Sequence, residues 1–175
     1  MSSESKPATP TQYDKSGIHV THAVTIDRPR SELYAFWRDF ENLPKFMHHL
    51  ESVKTSAGSK KSHWVAKAPA GKTVEWDAEI INEVQDETIA WRTLGNADVD
   101  SAGSVRFLDH PAGRGTTVKV SLDYIPPGGR IGQIVAKISG EEPKIQITED
   151  LRRFKRLMET GEIATIEGQS KGNCE

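Results

Sequence analysis

Six histidines, a row of three acids and a scatter of tryptophans are the groups in this chain equipped for chemistry. His22 falls on the apolar parity of the alternating run "GIHVTHAVTI", where an imidazole can hydrogen-bond within a core, donate to a ligand carbonyl or exchange a proton near neutral pH. No serine, cysteine or carboxylate is tied to it by local spacing, so it is a polar-contact candidate and no catalytic residue is assigned. His48 and His49 are adjacent, and on a strand adjacent side chains diverge. His19 and His22, three apart, also fall on opposite faces, so no metal site is expected. Glu75, Asp77 and Glu79 alternate on one face of "TVEWDAEIINEV", which reads as a solvated row before it reads as an acid/base pair. "RRFKR" near the C-terminus reads as the wet side of a helix, with Phe154 turned inward.

The aromatic residues are more informative. Val74, Trp76, Ala78 and Ile80 share a strand face, as do Ile89 with Trp91, Val105 with Phe107, and Val118, Val120, Leu122 and Tyr124. Core filling accounts for each alone, yet Trp76, Trp91 and Tyr124 carry a polar group that must find a partner when buried. Bulky aromatics beside small residues also shape ligand cavities. Trp76, Trp91, Phe107 and Tyr124 are therefore taken as candidate ligand contacts. Trp64 and His63 stay outside that set, because "SHWVAKAP" has apolar residues on both parities.

These residues need a scaffold, and the pattern supplies one. "GIHVTHAVTI" predicts a strand, and "DRPRSELYAFWRDF" a short helix in which Asp27 can cap and Pro29 suits the first turn. The helix should end near Asp39, with a second turn over Leu43 to Met47. Six alternating runs follow, at 48–56, 62–69, 73–84, 88–94, 103–110 and 117–124, separated by links too short for parallel crossovers. After "IPPGG" the period becomes helical. Ile131, Ile134, Val135 and Ile138 form one stripe, Ile147, Leu151, Phe154 and Met158 another, with a break at "SGEEP". The predicted class is α+β: a curved antiparallel sheet of about seven strands wrapped around a long C-terminal helix, with two short helices after the first strand.

"FENLPKFMHHLESV" lies where the short helices meet the sheet. Phe40 and Leu43 are expected to plug the core, and Phe46 and Met47 to form a cavity rim. The amphipathic piece at 130–138 is a second gate candidate, which brings Ile134 and Ile138 into the predicted ligand-binding set beside His22.

The wider chain fits one domain at 17–161, flanked by polar tails at 1–16 and 162–175. A formal net charge of −2 gives no footing for a nucleic-acid partner. The single cysteine, Cys174, excludes an internal disulfide and a thiolate cluster. No apolar run approaches membrane-spanning length and the N-terminus lacks a signal-peptide core, so a cytoplasmic protein is expected, with room for transient membrane contact.

Element order, together with "VTHAVTIDRPRSELYAFWRDFENLPKFMHHLESV", "GKTVEWDAEI", "IAWRTL", "GSVRFLDHPAGRGTTVKVSLDYIPPGG" and "DLRRFKRLMETGE", resembles the START or helix-grip superfamily. The resemblance is to its polyketide cyclase/dehydrase or coenzyme-Q-binding branch. It implies a small apolar ligand, such as a lipid, quinone or polyketide-like aromatic, held between sheet and C-terminal helix. Other members imply an aromatic cyclase or dehydratase, or a protein-binding chaperone with a closed cavity. No cofactor is implied, and no protein partner is identified.

Overall fold

The structure, a computed structural model, describes residues 18–95, 100–125 and 143–161, apart from the side chains of Pro69, Tyr124, Ile125 and Pro143. Strand β1 (Ile18–Ile26) leads into helix α1 (Arg30–Arg38) and a 3₁₀ helix (Phe40–Lys45). Strands β2 (Leu50–Thr55), β3 (Lys61–Lys67), β4 (Thr73–Val84), β5 (Thr88–Thr93), β6 (Asp100–Asp109) and β7 (Thr116–Ile125) come next, and helix α2 (Pro143–Thr160) ends the described chain. All seven strands form one antiparallel sheet in the order β1-β7-β6-β5-β4-β3-β2. Short turns dictate the β2 to β7 meander. β1 and β2 are therefore the two edges, and α1 with the 3₁₀ helix carries the chain from one edge to the other.

The predicted faces are the faces found. Along β3, Ser62, Trp64 and Ala66 are buried while Lys61, His63 and Lys67 are exposed. Ala78, Ile80, Ile89, Trp91, Val105, Phe107, Val118 and Val120 are buried on the remaining strands. α2 adds Ile147, Leu151 and Phe154, spaced four and three apart so that they share one stripe. Tertiary hydrogen bonds fix the C-terminal end of α2 on β1. Lys155 Nζ donates to the Thr25 carbonyl at 2.6 Å, and Arg28 Nη2 to the Glu159 carbonyl at 2.8 Å, where a cation also meets the negative end of the helix dipole.

Three local expectations change. Asp27 does not cap α1: Pro29 holds the N-cap position with extended dihedrals, and the Asp27 N–H donates to Glu159 Oε1 instead. The strand expected from residue 48 begins at Leu50, so His48 and His49 lie in a turn. β4 changes parity at a bulge between Ile80 and Asn82, which turns Glu83 toward α1, where it accepts from Tyr34 Oη at 2.6 Å and from Arg38 Nε. Burial first, then the Glu83 hydrogen bond, pushes the Tyr34 hydroxyl up to about 12. The same bulge leaves Ile81 exposed.

A cavity behind a tryptophan wall

Packing fills one end of the curved sheet and leaves the other open. At the filled end, Phe107 meets Tyr34 edge-on at 5.8 Å and Trp37 at 6.4 Å, while Phe46 lies 4.7 Å from Phe154 and 5.2 Å from Trp37. At the other end a cavity of about 180 Å³ separates the sheet from α2. Its sheet side is formed by Ile18 and Val20 of β1, Leu122 of β7, and Trp64, Trp76 and Trp91 of β3, β4 and β5. Opposite them stand Ile147 and Leu151 of α2, Trp37 of α1, and Met47, His49 and Leu50 from the turn into β2.

The tryptophans make a continuous wall. Trp64 and Trp76 are directly opposite in the β3–β4 register and stack with centroids 5.8 Å apart and planes 24° apart. Trp64 also lies 6.5 Å from Trp91 at 19°. Phe40 meets Trp64 at 5.5 Å and Trp91 at 5.8 Å, both edge-on, so the plug predicted for Phe40 packs against two members of the wall. Gly103, opposite Trp91 on β6, supplies the space: a β-carbon there would lie 2.5 Å from Trp91 Cζ2. Trp64 donates its indole N–H to the buried Ser62 hydroxyl at 2.8 Å, which removes the penalty of burying that group.

Polar groups sit on the opposite wall. Trp37 is fully buried, and its indole N–H has no hydrogen-bond partner among the described residues. His49 Nδ1 is also buried, 3.5 Å from Asp150 Oδ2 but out of hydrogen-bond geometry, although the side chain as a whole is 31% exposed. Asp150 Oδ1 in turn accepts from Arg153 Nη1 at 3.0 Å. Burial, reinforced by the Arg153 charge, pulls the His49 imidazole down to about 4, so it is neutral at physiological pH.

Of the residues expected to contact a ligand, Met47, Trp76 and Trp91 line the cavity. Phe46 and Phe107 do not: both are fully buried at the filled end, and Phe46 is a plug where a rim was expected. His22 has the expected parity but lies half-buried opposite Val120, two residues beyond the cavity-lining Val20. The Tyr124 backbone pairs with Ile18 and Ser101, and its side chain lies outside the description. Ile134, Ile138 and the whole 130–138 gate candidate lie outside the described residues. Sequence reasoning missed Trp37, Trp64 and His49. For Trp64 a signal existed, since Ser62, Trp64 and Ala66 alternate and Trp64 faces Trp76 across the strands.

The acidic row is more than solvated. His63 bridges it, with Nδ1 2.8 Å from Asp77 Oδ1 and Nε2 3.3 Å from Glu75 Oε2, while Glu79 pairs with Arg92 at 2.9 Å. The Asp77 hydrogen bond raises the pKa of His63. All of these lie on the outer face, away from the cavity. Among the described residues, no group of three or more His, Cys, Asp or Glu side chains could hold a metal ion. No helix among them is long and apolar enough to cross a membrane.

A helix laid against one face of a seven-stranded antiparallel sheet, with a cavity between them, is the helix-grip architecture. Residues 26–152 match the family model described as polyketide cyclase/dehydrase and lipid transport, and the chain belongs to that family within the START superfamily. Among solved structures, a Deinococcus radiodurans protein is 40% identical, with a TM-score of 0.68, covering 83% of this chain and 99% of that one. A Thermus thermophilus protein is 25% identical with a TM-score of 0.62, over 79% and 95% of the two chains. The Zhui aromatase/cyclase of Streptomyces sp. R1128 shares the fold, with 16% identity and a TM-score of 0.56 over 83% and 98%. A 17.2 kDa protein of Streptomyces lincolnensis is 29% identical over 150 residues, 80% of this chain and 89% of its own.

Proposed function

We propose that this protein binds a small hydrophobic molecule in the cavity between the tryptophan wall and α2. The observation that carries the reading is a cavity of about 180 Å³ lined mainly by apolar groups, three of them indole rings on one side. An apolar cavity of about 150 Å³ stays dry and admits benzene, so this one suits a compound of about one or two rings. Burial of apolar surface, worth about 25 cal/mol per Å², would supply most of the affinity. Trp64, Trp76 and Trp91 would offer it flat faces.

A catalytic role as a cyclase would need a proton carrier at the ligand. Of the two proton carriers offered by the sequence, His22 is not at the cavity and the Tyr124 side chain lies outside the description, while His49 is the one histidine of six that lines the cavity. Ligand binding is therefore the primary reading, with His49 the group to change if turnover is ever observed.

The experiment is native mass spectrometry of freshly purified protein, followed by extraction and identification of any released molecule, with a parallel tryptophan-fluorescence titration against one- and two-ring aromatics. A stoichiometric apolar adduct, or saturable quenching that is lost in Trp76→Ala, supports the reading. Failure of every probe to quench or to raise the melting temperature would sink it.

A further inference from the structure

The outer face of strands β1 and β7 carries a chain of four hydrogen-bonded side chains. Antiparallel register sets His19 opposite Asp123 and Thr21 opposite Ser121. Each pair of neighbours is two residues apart on its strand, so all four share one face. His19 Nδ1 lies 2.5 Å from Asp123 Oδ1, Thr21 Oγ1 lies 3.2 Å from His19 Nε2, and Ser121 Oγ lies 3.1 Å from Thr21 Oγ1. A hydroxyl held by an imidazole that is itself held by a carboxylate is the arrangement that activates a hydroxyl nucleophile. We propose that Thr21 accepts acyl groups from esters with a good leaving group, with His19 as its general base and Asp123 as a positioning residue.

Donor counting fixes the direction of the chain. An ionised carboxylate only accepts, so His19 Nδ1 carries the hydrogen, and in the neutral ring Nε2 is then the acceptor. Thr21 must therefore donate its single O–H to Nε2, which leaves its lone pairs to accept from Ser121. His63 shows the contrast, since its two ring nitrogens face Asp77 and Glu75 and neither is left for a hydroxyl. Thr21 and His19 are exposed, so a substrate reaches the hydroxyl from solvent. In so open a site the developing oxyanion is stabilised by water and by the exposed Lys119, which sits diagonally across the strands from Thr21. That modest stabilisation suits aryl esters and thioesters, whose leaving groups depart readily, over amides.

In the first step Thr21 Oγ1 bonds to the acyl carbon while His19 Nε2 takes its proton. The bond from that carbon to the leaving oxygen or sulfur breaks, and His19 passes the proton to the leaving group. Water then attacks the acyl-threonine with His19 as base, releasing a carboxylic acid and restoring Thr21. Ile18, Val20 and Leu122 of the same strands line the cavity, and of the four chain members only Asp123 also borders it. The proposal does not depend on the cavity holding a ligand.

The probe is 4-nitrophenyl acetate, with 4-nitrophenolate release followed by absorbance and the acetyl group placed by peptide mapping. Wild-type protein is expected to gain an acetyl group on Thr21, with an equal burst of 4-nitrophenolate. Thr21→Val should abolish the burst, and His19→Gln should slow Thr21 labelling by about a hundredfold, the low end of general-base contributions. Asp123→Asn should slow it as well, with part of the rate restored in Asp123→Glu. Acetylation confined to lysines and unchanged in Thr21→Val would overturn the proposal, and so would Thr21 labelling indifferent to His19. Should a variant not fold, the wild type decides alone: Thr21 should be labelled well ahead of Thr73, which is exposed on β4 opposite Lys67, and equal labelling of the two would overturn the assignment.

Discussion

Replacing Gly103 with alanine puts one methyl group under the tryptophan wall, and its consequence follows from the packing. The new β-carbon would lie 2.5 Å from Trp91 Cζ2, 2.8 Å from Trp91 Cε2 and 2.8 Å from Leu122 Cδ2. Carbon atoms prefer about 3.5–4.0 Å, so the indole must move by roughly 1 Å. It cannot sink into the sheet, and the direction left is toward the cavity, away from its contacts with Trp64 and Phe40. Overpacking of this kind costs about 1–3 kcal/mol. Alanine recovers about 0.5–1 kcal/mol of the glycine's chain-entropy penalty in a strand. Taken at mid-range, the net expectation is a loss of about 1 kcal/mol, or a fall in Tm of roughly 2–4 °C for a chain of this size. Because the ring moves into the cavity, affinity for one-ring probes should fall in the same variant. Thermal melting followed by far-UV circular dichroism reads the first effect, and near-UV circular dichroism reports the tryptophan stack. A Tm at or above wild type with an unchanged near-UV spectrum would refute the reasoning.

Three further outcomes are expected. Ser62→Ala leaves the buried Trp64 N–H without an acceptor and should lower stability by about 1–3 kcal/mol, read as a lower urea midpoint with unchanged slope. Gly115→Ala should cost about 3 kcal/mol or more, because φ is +80° and a β-carbon would stand 2.1 Å from the Ile26 carbonyl oxygen, a backbone atom that cannot step aside. For His63, whose pKa Asp77 raises, an NMR titration should give a value above the ordinary histidine range that drops in Asp77→Asn. The associated stability is fully present below about pH 6.5 and is lost as pH rises through the folded-state pKa. With the histidine side chain 45% exposed, it should stay below about 1 kcal/mol.

The sequence was most readable where period and turn chemistry act locally. Alternation gave the inner faces of the strands, and short links gave the antiparallel meander. Helical spacing in Ile147, Leu151 and Phe154 gave the packed stripe of α2. The acids at 75, 77 and 79 were correctly put on the outer face, but their pairing with His63 and Arg92 depended on cross-strand register, which alternation does not report.

The candidate site divides along the same line. Strand parity decides which side chains face α2, and it did so for Trp76, Trp91, Phe107 and His22 alike. It says nothing about position along the sheet. α1 and the Phe46 plug occupy the end where Phe107 and Ile26 lie, so those inward side chains became core, while the Ile18, Ser101 and Trp76 end was left hollow. Trp37 and His49 entered the cavity wall from a helix and a turn whose placement only the assembled packing determines. The sequence alone thus determined a half-apolar sheet and the helix to cover it. Where the covering fails to touch the sheet, and which polar atoms are stranded beside the gap, was decided by the tertiary structure, because a cavity is a mismatch between surfaces distant in the chain.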